Sequence, residues 1–247
     1  MRQAGVQDGA TAAHEKPLED NELRGALKPS MQQAWDNLDP RGMIDFETDV
    51  TWQVGSRTPH LVVIAWPHRE NTSIKPRMFP YQMERLEGTF VYRDGQVLFD
   101  RFAAWHGRTR LSGKVHWNFL PDGSWNFRIE DMAVDRLSLE DRELRLALPA
   151  GLREGLAKWN PSGPMYLHKS RMNARHPAEA GQPMEMDWDL RLGFHQARIE
   201  CGIRLENMHG ELQLRGQSQG HAFTSLGELD ISSLLFENFQ FTDVKGP

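Results

Sequence analysis

The sequence predicts a mainly β chain: an extended, curved antiparallel sheet built from repeated units, open like a trough, with one short helix per unit. Three observations predict it. Long segments alternate apolar and polar residues with period two, the pattern of a strand wetted on one face. Short Gly- and Asp-rich turns separate these segments, so neighbouring strands are joined tightly and must run antiparallel. Finally, LEDNELRGALKPSMQQAWDNLDPRGMIDF from Leu18 recurs as LEDRELRLALPAGLREGLAKWNPSGPMYL from Leu139, 121 positions on and without a gap. Leu18, Glu19, Asp20, Glu22, Leu23, Arg24, Ala26, Leu27, Pro40 and Gly42 meet the same residue types in the second copy. Chance does not produce so dense a block, and self-similarity at fixed period marks a repeat architecture.

Taken in order, residues 1–17 have no counterpart and are expected to be poorly ordered. A first unit spans 18–138 and a second 139–247. Each opens on a helix, at 29–38 and 150–159. Pro29 suits the first turn, where its missing N–H costs nothing, and Asp39-Pro40 and Asn160-Pro161 end the helices because the residue before proline avoids the helical region. Met31, Trp35 and Leu38 share one helical face, as do Leu152, Leu156 and Trp159, and are expected to pack on the sheet. The strands follow. Val115, Trp117 and Phe119 alternate with polar residues, and so do Trp125, Phe127 and Ile129. The clearest strand has Met184, Met186, Trp188, Leu190, Leu192 and Phe194 on one face and Glu185, Asp187, Asp189 and Arg191 on the other. Ile199, Cys201, Ile203 and Leu205 continue the pattern. Turns are expected at Asp94-Gly95, His106-Gly107, Pro121–Gly123 and Gly216–Gly220. The second unit reaches Pro247 before any copy of 123–140, which predicts a chain cut from a longer repeat protein.

Composition narrows the function. The net charge of −5, with both signs interspersed, offers no basic stripe for nucleic acid. The lone Cys201 excludes an internal disulfide framework or cysteine metal site. No apolar run approaches the roughly 18 residues of a spanning helix, and 1–17 lack a signal-type apolar stretch.

Candidate catalytic motifs resolve into structure. Gly216-Gln217-Ser218-Gln219-Gly220 matches a nucleophile elbow with His221 beside it, but that motif requires a strand-to-helix turn, and HAFTSLGELDI after it has no helical period. Glu185, Asp187 and Asp189 alternate with apolar residues and belong to a solvated strand face. The ten histidines include no H-E-x-x-H or H-x-H pair of metal-ligand type. Trp117, Trp125 and Trp188 share the apolar phase of their strands, which disfavours sugar-stacking platforms. No enzyme, cofactor or metal is expected.

The helix block ending in Pro-x-Gly (Pro40–Gly42, Pro161–Gly163), the FPYQMERLEGTFVYRDGQVLF segment from Phe79, ENMHGELQLRG from Glu206 and the closing FTDVKGP together resemble the AsmA-like bacterial envelope proteins, in their long, repeat-containing form. The resemblance covers most of 18–247. It implies periplasmic location, an inner-membrane anchor in a segment absent from this chain, and an apolar trough that carries lipid acyl chains. It assigns no binding residue. The residues themselves offer Met184, Met186, Trp188, Leu190, Leu192, Ile199, Cys201, Ile203, Val115, Trp117, Trp125 and Phe127 as the lipid-contacting lining, with further repeats of the parent chain as neighbours. An uncovered apolar face demands a partner, and each methylene buried on it contributes roughly 0.8 kcal/mol. The competing expectation is a sealed core, giving a carbohydrate- or protein-binding β-module.

Overall fold

The computed structural model describes residues 14–52, 55, 59–77, 79–148, 150–179, 181–220 and 222–246. Their strands form one antiparallel sheet: β1 (His14–Pro17), β2 (Met43–Thr51), β3 (His60–Pro67), β4 (Ser73–Ile74), β5 (Met83–Arg93), β6 (Gln96–His106), β7 (Thr109–Phe119), β8 (Trp125–Leu137), β9 (Met165–His176), β10 (Glu185–Glu200), β11 (Arg204–Gln219), β12 (Ala222–Phe236) and β13 (Phe239–Gly246). They pair in chain order, with β4 set aside on β5, and β1 does not close onto β13. The expected mainly β, antiparallel, unclosed architecture is therefore the observed one.

Between β1 and β2 lie helices α1 (Asn21–Gly25) and α2 (Pro29–Leu38); between β8 and β9 lie α3 (Arg142–Ala147) and α4 (Ala150–Trp159). The helices at 29–38 and 150–159 stand where the sequence puts them. The shorter α1 and α3 were not anticipated, although their caps are legible. The Asp20 carboxylate accepts from the Glu22 N–H at 2.7 Å, and Asp141 accepts from Glu143 N–H at 2.9 Å, each satisfying an otherwise orphaned first-turn donor.

The internal duplication is structural as well as sequential. Asp39 and Asn160 both end their helices in the left-handed region, at φ 45° and 41°. Arg41 and Ser162 both make isolated antiparallel bridges, to Ser73 and Arg198, with paired bonds of 2.9 Å. Gly42 and Gly163 follow at φ 104° and 100°. A Cβ on Gly42 would lie 2.0 Å from the Asn71 carbonyl oxygen, so only glycine lets the chain turn into β2 there.

Three local expectations need correction. Residues 14–17, assigned to an unstructured terminus, form edge strand β1 on β2; 1–13 lie outside the described residues. Cys201 and Ile203 do not continue a strand: β10 ends at Glu200 and the chain reverses through 201–203, with the Cys201 N–H donating to Ile203 O at 3.1 Å. Gly216–Gln219 is not a turn but the last stretch of β11, and only Gly220 lies in the reversal. At 201–203 the chain reverses where local alternation reads a strand, and at 216–219 a long strand continues through residues that a local reading takes for a boundary.

The chief departure from simple alternation is a line of β-bulges. Arg85, Arg101, Asp131, Arg136, Lys169, Gln196 and Asn207 take positive φ between 45° and 56°, each inside a strand from β5 to β11. Pairing shifts beside them, for example between Phe99 and Phe102, Ile129 and Met132, and Phe194 and Ala197. An inserted residue would send every later side chain to the wrong face if it continued the pleat. Here it is absorbed as a bulge carrying a polar side chain, so apolar residues three apart stay together. Phe99 and Phe102 have ring centroids 5.0 Å apart as a result. Bulges also bend strands and increase their twist.

Candidate functional site: the apolar face of the sheet

The register places one side of every strand on a common face. Val97, Trp117, Phe127, Ala174, Met186 and Ser218 lie in one row across β6–β11; Phe99, Val115, Ile129, Met172, Trp188 and Gly216 form the next. Leu192, Leu212 and Leu229 extend the face to β12, and Tyr92 and Val63 extend it to β5 and β3. Val115, Trp117, Phe127, Met186, Trp188 and Leu192 of the expected set thus share one face across strands far apart in sequence.

Its two ends differ. At the bulged end the face is closed. Tyr81, Met83, Leu86, Phe102, Ala104 and Met132 are buried there beneath Leu144 and Ala147 of α3. A second buried cluster unites Met165, Phe194, Ala197, Met208, Ile231 and Leu234. The closure is tied down by a polar contact: the Tyr81 hydroxyl donates to Asp141, the α3 cap, at 3.0 Å, and its ring lies 4.1 Å from that of His106. Burial, reinforced by the neighbouring Asp141 carboxylate, raises the Tyr81 phenol above its ordinary pKa.

Toward the other end the face opens. Val115 and Trp125 are buried, whereas Trp117, Phe127, Met186, Trp188, Leu190 and Leu192 are only half-buried. Met184, also half-buried, lies in the loop just before β10, and Ile199 packs against the second cluster. Trp117 is ringed by Phe119, Trp125 and Phe127 at 5.0–5.6 Å, and Trp188 stacks on Phe223 at 5.2 Å. Gly216 makes room for that stack, since a Cβ there would come within 2.4 Å of the Trp188 ring. On β12 and β13, Phe223 (53%), Phe241 (46%) and Phe239 (64%) of the same face stand exposed. Cys201 and Ile203, named as lining, are exposed at the β10–β11 reversal and leave the set.

The two expected helix stripes differ: Met31, Trp35 and Leu38 of α2 are half-buried around the buried Ala34, whereas that of α4 stays largely open to solvent. Leu152 and Trp159 of α4 remain 42% and 56% exposed, and only Leu156 of that stripe is half-buried. The first turn of α2 reaches the far end of the sheet, where Pro29, Ser30 and Gln33 border a pocket with Gly123 and His176.

Period-two reading missed Phe102, Met132 and Met208 because the bulges hide them; their signal is an i, i+3 apolar spacing next to a charged or amide residue. Phe223, Phe239 and Phe241 were visible as hydrophobics, but no local pattern told which face they share.

The polar face carries the rejected carboxylate candidates. The carboxylates of Glu185, Asp187 and Asp189 are each engaged across strands, by Gln219 at 2.9 Å, Asn173 at 2.7 Å and Gln213 at 2.8 Å. They form a cross-strand ladder and not a converging pair. Ser218 lies within β11 opposite Met186 and Phe223, away from any strand-to-helix turn; His221 lies outside the described residues. No cluster of three or more histidine, cysteine or acidic groups able to hold a metal occurs among the described residues. None of their helices is long and apolar enough to cross a membrane.

No family model, curated protein or solved structure matches this chain.

Proposed function

We propose that this chain is a non-enzymatic, lipid-handling segment of an AsmA-like envelope protein, working by apolar contact. The observation carrying the proposal is the continuous apolar face, closed at its bulged end and half-open from Trp117 and Phe127 through Met186 and Trp188 to Phe223. A surface of that size and chemistry demands an apolar occupant. Acyl chains suit it because they are flexible, and the flexible side chains of Met172 and Met186 adapt to irregular ligands. The resemblance of the helix blocks and closing segments to AsmA-like proteins supports a place in the bacterial envelope. Membrane attachment would then come through a separate anchor.

The proposal extends to neighbours. β13 pairs with β12 alone among the described residues. Its Val244 lies opposite Ile231 of β12, an apolar cross-strand pair like Phe99 and Val115 on β6 and β7. In the first unit β7 goes on to pair with β8, so the free edge of β13 is the place for a strand from a further repeat of the parent chain. Such a strand would extend the lining and bring cover to Phe239 and Phe241.

The alternative, a sugar-binding module, would use Trp66 and Tyr166, exposed on the polar face. They lie on β3 and β9, separated by β5–β8, too far apart for one stacking platform.

Purification from a bacterial host in mild detergent, followed by lipid extraction and mass spectrometry, tests the reading. Stoichiometric phospholipid is expected, reduced at least several-fold in Trp188→Asp. A folded protein carrying no phospholipid would overturn it.

A further inference from the structure

On the polar face, away from the apolar lining, the β10–β11 pair brings two histidines together. Phe194 pairs with Gly210 and Ala197 with Met208, so His195 and the bulge residue Gln196, at φ 55°, together oppose the single residue His209. That two-against-one geometry turns the imidazoles toward each other. Their Nδ1 atoms lie 2.8 Å apart, with the rings nearly perpendicular at 86°. The backbone beneath is held on both sides, by His195 N–H donating to Pro164 O at 3.2 Å and by Ser232 Oγ donating to His209 O at 3.1 Å.

Asn207 decides what the pair can do. Its Oδ1 lies 3.2 Å from His209 Nε2. A carbonyl oxygen only accepts, so the His209 proton is placed on Nε2 and a bare lone pair remains on Nδ1. Fixing a ring through its second nitrogen is the arrangement that prepares a histidine for metal binding. The His195 Nδ1–H donates to that lone pair in the metal-free protein. Moving this proton to Nε2 of the same exposed ring frees a second Nδ1 lone pair, with no net change in charge.

We infer that His195 and His209 form a transition-metal site that takes Cu²⁺ through two cis imidazole Nδ1 atoms, the other positions being filled by water. A metal ion takes the place of the proton shared between the rings, and Cu²⁺ heads the affinity order for nitrogen ligands. The fourteen-residue separation conceals the pair in sequence, since only the hairpin and its bulge make the two rings neighbours.

Titration of the untagged protein with CuSO₄ and with ZnCl₂, by calorimetry and electron paramagnetic resonance, tests the site. One Cu²⁺ per chain is expected, with imidazole-nitrogen hyperfine structure and at least about tenfold tighter binding than Zn²⁺. His195→Ala and His209→Ala should each weaken it by about tenfold or more. Asn207→Ala, which keeps both ligands, should weaken it by about 10- to 100-fold, the range for loss of an orienting partner. His168→Ala on the same face should leave it unchanged. Circular dichroism melts establish that each variant is folded. Cu²⁺ binding that survives the double variant, tighter binding of Zn²⁺, or the absence of nitrogen hyperfine structure would overturn the assignment.

Discussion

At the scale of single residues, two positions show how local chemistry maintains the face. Gly216 is required by its neighbour: the Trp188 ring occupies the space a side chain would take, and the Thr224 carbonyl oxygen lies 2.5 Å from the same point. Gly216→Val should destabilise the protein by about 1–3 kcal/mol through overpacking, measured by urea denaturation, and should disrupt the Trp188–Phe223 stack seen in tryptophan fluorescence. Tyr81 is almost fully buried and donates to Asp141, and its phenol titrates above its unfolded-state value. The neutral form is favoured in the folded state, so this contribution is intact below pH about 10 and is lost as pH rises through the phenol range. Unfolding free energy should therefore fall above pH 10 in the wild type. In Tyr81→Phe the decline should be shallower, from a lower plateau, and identical slopes would refute the linkage.

Among the elements, the bulges do the positioning. Each costs a non-glycine residue in a left-handed conformation, and each returns the strand to phase. The two effects separate by experiment at Arg101. Arg101→Gly retains the inserted residue and relieves the backbone, so stability should change by less than about 1 kcal/mol, in the favourable direction. Deleting Arg101 sends Phe102 and Ala104 to the polar face and should cost about 3–5 kcal/mol, the scale of emptying a buried aromatic site. Chemical denaturation of both variants checks this. The helix caps differ in the same manner. Asp141 caps α3 and also accepts from Tyr81, whereas Asp20 caps α1 and pairs with the exposed Lys16. Asp141→Ala should lose about 1–3 kcal/mol, and Asp20→Ala distinctly less.

For the whole molecule, the defining fact is a sheet with two edges that, among the described residues, are free and of different character. β1 is short and ends in Pro17, features that blunt an edge. β13 is longer and presents Phe239, Phe241 and Val244 with a rim unpaired among the described residues. The isolated chain should therefore self-associate with rising concentration, and Phe241→Lys should reduce that association in sedimentation velocity without lowering the melting temperature. Much of this architecture is legible in the residues. The alternation of Met184–Phe194 names β10 and its inward face, and the duplicated block places α2 and α4 to the residue. The apolar residues from Val115 to Leu192 share one face for the same reason. Cys201 and Ile203 were misread because apolar identity at alternate positions does not reveal where a strand reverses; backbone pairing does. α1 and α3 were passed over because a single turn carries too little periodicity to register. Period and turn chemistry are local properties, so the sequence by itself determined the strands, the repeat and the polarity of each face. Which strands lie side by side, where bulges reset the phase, how far the helices cover the lining and that His195 meets His209 were decided by tertiary structure, because each depends on pairing between residues that no local pattern connects.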